Sequence, residues 1–194
     1  GMGRIGRMVI RAIIESKNKN IEIKHINNRS NSETSCTLIK YDSVHGKFDA
    51  DLGFDKDHLI INKNKITFSQ ESKIEDINWK KFNVDYVFEC TGKFNSKDKL
   101  LAHIKNGAKK VIVSAPCKDA DKTIVYGVNE NLLTKDDQII SAASCTTNCL
   151  APVANILNEN FEIEKGFMTT IHAFTSDQRI LDNSHKDPRR ARSA

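Results

Sequence analysis

Cysteine, proline and long apolar runs are all scarce in this sequence, and each scarcity removes a class of protein. The 194 residues carry five cysteines, an odd number without Cys-x-x-Cys spacing, which argues against a disulfide framework or a zinc ribbon. No metal is expected, and the thiols point to a reducing, cytoplasmic setting. Three prolines and nine glycines exclude collagen-like and proline-rich architectures. No apolar run approaches the ~18–20 residues of a membrane span. The opening Gly1-Met2-Gly3-Arg4 carries no secretory or lipidation pattern. Lys+Arg 30 against Asp+Glu 25 leaves a mild +5, which suits a small anionic substrate better than a nucleic acid. The basic cluster Arg189-Arg190-Ala191-Arg192 has no interleaved aromatics, so it reads as a solvated or phosphate-facing loop. With 39% hydrophobic and 28% charged residues, the composition is globular and long enough for a real core.

The pattern along the chain alternates. Ile5, Met8, Val9, Ala12 and Ile13 recur at helical spacing, and Ile21, Ile23 and Ile26 then read as a strand ending at Asn27. A short helix is expected over Thr34–Lys40. Leu59-Ile60-Ile61 pairs with Ile66-Thr67-Phe68 across an Asn62–Lys65 turn. Val84–Phe88 and Val111–Val113 read as buried strands, with a helix near Lys97–Asn106 between them that stops at Gly107. Strands alternating with helices predict an α/β fold: a Rossmann-type, doubly wound, mainly parallel sheet. After Ser141 the texture changes. Leu150, Val153, Ala154 and Leu157 share one helical face, and Gly166–Ala173 reads as a Thr- and Ile-rich strand. The expected organisation is a dinucleotide-binding domain over 1–143 and the beginning of an α+β catalytic domain over 144–194. A glycine-rich loop of this kind follows a strand, and none precedes Gly1. The first strand and the rest of the second domain are expected to lie outside the sequence.

Gly1-x-Gly3-x-x-Gly6 has the dinucleotide spacing: a tight turn, close approach of pyrophosphate to backbone, and close helix–strand packing. The helix that follows offers amide groups and a positive dipole end to phosphate. An acidic residue is expected ~20 positions on, to hold the adenosine ribose. The strand there ends instead in Asn27-Asn28-Arg29-Ser30. An Asp would repel a 2′-phosphate, whereas Asn28 would not, and Arg29 with Ser30 could bind one. NADP use is one reading; the other leaves Arg29 solvated and NAD bound through its hydroxyls. Ser144-Cys145-Thr146-Thr147-Asn148-Cys149 is the sharpest local feature. A Ser144 cap would put Cys145 at a helix N-terminus, where thiolate is favoured and a nucleophile is made. Core packing is the plain alternative for any cysteine, and a buried thiol is the expectation for Cys149. Cys145 and Cys149 as a metal pair lack further ligands nearby. His172, at the end of the Met168–Ile171 stretch of that strand, could reach the thiol as acid and base, or could be structural.

Taken together these segments resemble the phosphorylating glyceraldehyde-3-phosphate dehydrogenases, essentially end to end. The resemblance is carried by Gly1 through Arg7, Tyr41-Asp42-Ser43-Val44-His45-Gly46, Glu89-Cys90-Thr91-Gly92, Ser114-Ala115-Pro116, Ser144 through Pro152, Thr169-Thr170-Ile171-His172, Asp177-Gln178-Arg179 and Arg189 through Arg192. It implies an oxidoreductase of glycolysis or gluconeogenesis that makes 1,3-bisphosphoglycerate from glyceraldehyde-3-phosphate and inorganic phosphate. Cys145 would form a thiohemiacetal and then a thioester, His172 would move the protons, and Ser144, Thr146 and Thr175 would hold substrate and phosphate. Gly1, Gly3, Arg4, Ile5, Gly6, Asn28, Arg29, Thr91, Gly92, Phe94 and Ser114 would contact NAD or NADP. Ser72 stands where the resemblance leads one to expect a basic residue near the adenine, with Lys73 beside it. A cytoplasmic homotetramer is implied for the full-length protein, with this stretch alone inactive. Erythrose-4-phosphate dehydrogenase shares the cysteine motif, but Thr175 after His172 favours the triose phosphate. A non-catalytic nucleotide-binding fragment is the alternative of a different class.

Overall fold

The computed structural model describes residues 1–193. The chain forms two compact units, Gly1–Ile156 and Leu157–Ala194. The first opens with α1 (Arg4–Ser16), which starts directly after Gly3 and ends at Lys17 in the left-handed region, φ 53°. Its buried face carries Ile10 and Arg11, whereas Ile5 and Ala12 are exposed, so the helix is turned away from the face the periodicity suggested. The reason is Arg11. Arg11 is 4% exposed, and its guanidinium donates to the carbonyls of Ile39, Lys40 and Gly46. These carbonyls include the end of the second helix, where a cation complements the dipole.

The strand β1 is shorter than expected, His25–Asn27, because its ladder partner meets it only over Thr67–Ser69. The helix α2 (Ser32–Lys40) is capped by Asn31, which accepts the Thr34 amide at 2.9 Å, with Glu33 in the first turn and Lys40 in the last. Next come β2 (Tyr41–Asp42) and β3 (Gly46–Lys47), a short antiparallel pair, and then a meander of β4 (Leu52–Phe54), β5 (His58–Ile61) and β6 (Asn64–Ser69). Leu59 pairs with Ile66 as the alternation required. The turn is tighter than expected: only Asn62 and Lys63 form it, both at positive φ, 49° and 69°. Two left-handed residues match the natural twist of a hairpin.

After two 3₁₀ turns, Ile74–Asp76 and Trp79–Phe82, the chain gives β7 (Tyr86–Glu89), α3 (Lys97–Lys105), β8 (Lys110–Val113), β9 (Lys122–Thr123), β10 (Ile139–Ser141) and α4 (Cys145–Phe161). Gly107, at φ 106°, ends α3 with its Cβ position 2.8 Å from the Lys80 backbone nitrogen, so no other residue fits there. The architecture is α/β. Strands β7-β8-β10-β9 form a wholly parallel sheet, and β1-β6-β5-β4 a mixed one in which β1 and β6 are parallel. Each sheet has its own core, one around Ile39, Leu59 and Ile61, the other around Leu100, Val111 and Ile139. All six are fully buried, each contributing roughly 1.5–3 kcal/mol relative to exposure.

Among the described residues β1 pairs only with β6 and β7 only with β8. Both line one cavity of about 830 Å³, walled also by Val9, Ile10 and Ile13 of α1. A doubly wound sheet places one further parallel strand at this position, leading into the glycine loop. Among the described residues the sheet therefore lies in two parts, β1 edging one and β7 the other.

Three expectations after Ser141 need correction. Residues 166–173 form no strand, because none of the described residues around them supplies a ladder and an extended segment alone keeps no strand structure. The helix α4 forms, yet Leu150, Val153 and Leu157 are 42, 55 and 43% exposed, so among the described residues the shared apolar face is only partly covered. For the same reason Cys149 is exposed rather than buried. The second unit is held by polar contacts: Asp177 pairs with Arg190 and His185, and Asp187 caps the 3₁₀ turn Pro188–Arg190.

His25 gives this fold a pH response. Its ring stacks on Phe82 at 3.8 Å and bonds Thr67 and Ser69 through both nitrogens at 2.8 Å. Burial, with Lys81 nearby, pushes it down to about 4. The unfolded chain therefore takes up this proton first, and stability falls as pH drops from ~6.5 toward 4. Urea unfolding at pH 7 and pH 4 should show a loss of stability, of which His25→Gln removes about 1–2 kcal/mol once solvent screening of the half-buried ring is allowed for.

Candidate functional site

The three glycines of the opening loop serve three different contacts. A Cβ on Gly6 would lie 2.0 Å from the Gly1 carbonyl oxygen, and one on Gly1 would lie 2.8 Å from Thr91 Cγ2 and 3.1 Å from Thr91 Cα. Around Gly3 nothing lies within 4 Å of that position, so the loop is open there. Gly3 caps α1 without a side-chain acceptor and the first turn holds no acid. Its amides and dipole end are thus left for an anion, and the loop fits a dinucleotide pyrophosphate.

Beside the loop, Asn28 is engaged at both ends of its amide. Its Oδ1 accepts the Met2 amide at 3.1 Å and its Nδ2 donates to Ser35 Oγ at 3.1 Å. Arg29 and Ser72 are exposed and line the same cavity, as do Lys73 and Glu71. Arg4 forms an ion pair with Asp42, and Arg7 donates to the Met2 carbonyl at 3.0 Å. Ile5 is 48% exposed at the loop. Asp42 also accepts the His45 and Val44 amides at 2.9 and 3.0 Å. The His45 bond above all, against burial and helped by Val44 and Arg4, holds its carboxyl far below the usual range.

The turn after β7 closes the other side. Thr91 is exposed and its amide donates to Glu89 Oε1 at 2.7 Å; Gly92 follows at φ 70°. Phe94 is half-buried against the second core, and Ser114 donates to the Glu89 carbonyl at 3.2 Å. The sequence reading gave Asp42 and Glu89 no role of their own. The signal for Asp42 was its Asp-Ser-x-His pattern, in which an aspartate accepts amides two and three residues on. Glu89 was legible only as a charge in an otherwise apolar strand.

The thiol site is built on α4. Ser144 caps the helix: its Oγ accepts the Thr147 amide at 3.0 Å and its carbonyl accepts the Asn148 amide at 2.9 Å. Cys145 is therefore the first helical residue, and it is exposed. Thr146, next to it, is half-buried. Ahead of the cap, Ala143 sits at φ 59°, a left-handed conformation that disfavours a residue with Cβ. Ser141 keeps it there, accepting the Ala143 amide and donating to the Ala115 carbonyl. Cys36, Cys90 and Cys117 differ, since burial pushes all three thiols up. In the second unit His172 is exposed with Nδ1 2.5 Å from the Ala173 carbonyl oxygen, and Thr175 is exposed in a turn closed with Gln178.

An α/β nucleotide-binding unit thus runs into a helix that begins with an exposed thiol. Residues 1–97 match the family described as glyceraldehyde 3-phosphate dehydrogenase, NAD binding domain, and residues 144–194 match its C-terminal domain. The glyceraldehyde-3-phosphate dehydrogenases of Cereibacter sphaeroides and Xanthobacter flavus are each 50% identical over 194 residues, all of this chain and 58% of their own length. Glyceraldehyde-3-phosphate dehydrogenase 2 of Bacillus subtilis is 49% identical over 195 residues, covering 56% of its length. The chain spans a little over half the length of these curated relatives, and it belongs to the glyceraldehyde 3-phosphate dehydrogenase family.

The engagement of Asn28 is open to a direct check. Asn28→Ala leaves the Met2 amide and Ser35 hydroxyl without partners and should lower stability by about 1–2 kcal/mol. Asn28→Asp should leave the denaturation midpoint unchanged, since Met2 still donates and the Ser35 hydroxyl can turn to donate as well.

Proposed function

We propose that the intact protein oxidises and phosphorylates glyceraldehyde-3-phosphate to 1,3-bisphosphoglycerate with NAD or NADP, as a cytoplasmic homotetramer. The observation that carries this reading is an exposed thiol on the first residue of a Ser-capped helix, in a chain of this family. A helix N-terminus favours thiolate over thiol. Cys145 attacks the aldehyde carbon, and the carbonyl oxygen takes a proton to give a thiohemiacetal. The bound dinucleotide supplies the hydride acceptor. Cys145 then holds the acyl group as a thioester, and a phosphate oxygen displaces the sulfur to release the acyl phosphate and restore the thiolate. His172 takes and returns the proton in these steps, and Ser144, Thr146 and Thr175 hold the substrate and phosphate oxygens. The boundary of function falls at Ala143–Ser144, with dinucleotide contacts from Gly1, Gly3, Arg4, Ile5, Gly6, Asn28, Arg29, Ser72, Thr91, Gly92, Phe94 and Ser114.

Asn28 leaves room for either cofactor, because position 28 carries an amide where the glycine fingerprint leads one to expect a carboxylate. Comparison of kcat/KM for NAD and NADP, with glyceraldehyde-3-phosphate and phosphate, tests this on the intact protein. Turnover with NADP near or above NAD supports Arg29 and its neighbours as a 2′-phosphate site, and Asn28→Asp should then shift the ratio toward NAD at least about tenfold. A strong NAD preference leaves Arg29 as a surface residue. Absence of turnover with either cofactor overturns the triose reading and directs the assay to erythrose-4-phosphate.

The thiol assignment has its own measurement. Brief iodoacetamide treatment followed by peptide mass spectrometry should label Cys145 well before Cys36, Cys90 and Cys117. Equal labelling of all four would remove Cys145 as the nucleophile.

A further inference from the structure

Behind the glycine-rich loop lies a chain of buried polar side chains that none of the steps above uses. Trp79 Nε1 donates to His103 Nδ1 at 3.0 Å, and His103 Nε2 lies 3.2 Å from Glu89 Oε2. The three residues are 6, 2 and 5% exposed. An indole nitrogen only donates, so Nδ1 is the accepting nitrogen of His103 and Nε2 carries the hydrogen that meets the carboxylate. The second carboxylate oxygen, Oε1, accepts the Thr91 amide at 2.7 Å. Burial alone pushes the Glu89 carboxyl up, yet the bonds from His103 and Thr91 bring it below its ordinary value. Thr91 in turn packs against Gly1, and Cys90 against Gly6, whose Cβ position is 3.5 Å from Cys90 Cβ. The polar chain therefore runs from a 3₁₀ turn through α3 and the end of β7 to the wall of the loop.

We propose that Glu89 and His103 are positioning residues for dinucleotide binding, with Trp79 fixing the histidine tautomer that keeps Glu89 on the Thr91 amide. This rests on the reading that the glycine loop and the 91–92 turn hold a dinucleotide. The hydrogen bonds have a single consistent direction. Trp79 donates, His103 accepts and then donates, and Glu89 accepts twice. A glutamine at position 89 has nearly the same shape but one acceptor and one donor for two incoming donors. Either the Thr91 amide loses its acceptor or an amide N–H faces the His103 N–H. With Trp79 replaced by Phe, the ring can move its hydrogen to Nδ1 and accept from the glutamine, and Thr91 keeps its partner.

Calorimetric titration of the intact protein with NAD tests this. Glu89→Gln should weaken binding about tenfold and Trp79→Phe about threefold. The double variant should lose no more than about tenfold, well short of the product of the two. A purely packing role predicts losses that multiply, and that result, or an unaltered affinity in E89Q, overturns the proposal. Should E89Q fail to fold, Trp79→Phe carries the test, titrated at a temperature where the variant is fully folded: a threefold weaker Kd supports the relay, and an unaltered Kd overturns it. A histidine ¹⁵N spectrum showing His103 protonated on Nδ1 also overturns it. If the unsubstituted protein binds no NAD, the cofactor reading itself falls and the proposal with it, whereas binding that E89Q leaves intact removes the proposal alone.

Discussion

The contact on which the rest of the first unit depends is the approach of Gly6 to the Gly1 carbonyl. No side chain of any size can stand between them, since a single Cβ would come within 2.0 Å of that oxygen. The loop can therefore fold back on itself and start α1 at once, with its first amides bare. Thr91 on one side and Asn28 on the other then grip the same short loop, one by van der Waals contact and one through the Met2 amide. These two residues follow β7 and β1, strands of different sheets. The glycine loop is thus the point at which the two sheets are tied, and its geometry is decided by sterics before any charge is considered.

Charge acts one layer further out. Asp42 gathers Arg4 and the amides of Val44 and His45, and Arg11 gathers carbonyls of Ile39, Lys40 and Gly46. Each anchors α1 to the β2–β3 corner, one near the start of the helix and one two turns on. Both are buried ions satisfied by polar partners rather than by a single opposite charge, the arrangement that makes burial of a charge tolerable. Arg4 is consequently occupied with the fold. The contact proposed between Arg4 and the dinucleotide is therefore one for its backbone amide at the helix start, where the dipole acts.

Local signals in the sequence are legible wherever the structure that answers them is also local. The glycine spacing, the Leu59–Ile66 pairing, the end of α3 at Gly107 and the helix beginning at Cys145 need only a few neighbouring residues. What periodicity could not supply was the partner. The face of α1 was turned by Arg11, a charged residue that a hydrophobic pattern counts as outward. Residues 166–173 have strand composition, and α4 has an apolar stripe, but neither pattern says which surface receives it. The same holds at the candidate site. Cys145 was visible because capping chemistry is written in consecutive residues, whereas Glu89 and Asp42 act through amides and rings brought in by the fold.

The thiol and the loop also differ in how they store their geometry. At the loop, glycine removes the steric problem and little strain remains. Ahead of the thiol the opposite solution is found, with Ala143 held in a left-handed conformation by Ser141 and its bond to Ala115. Such a conformation costs an alanine roughly 1–2 kcal/mol, and it persists only where the surroundings over-determine it. Here the surroundings are β10, the most buried strand of the parallel sheet, whose three residues are all interior. The direction in which α4 leaves the sheet, and with it the position of Cys145, is therefore set by the core of the nucleotide-binding unit. A glycine at 143 would relax the backbone but would also free that direction, which gives a physical reason for the strained residue ahead of α4.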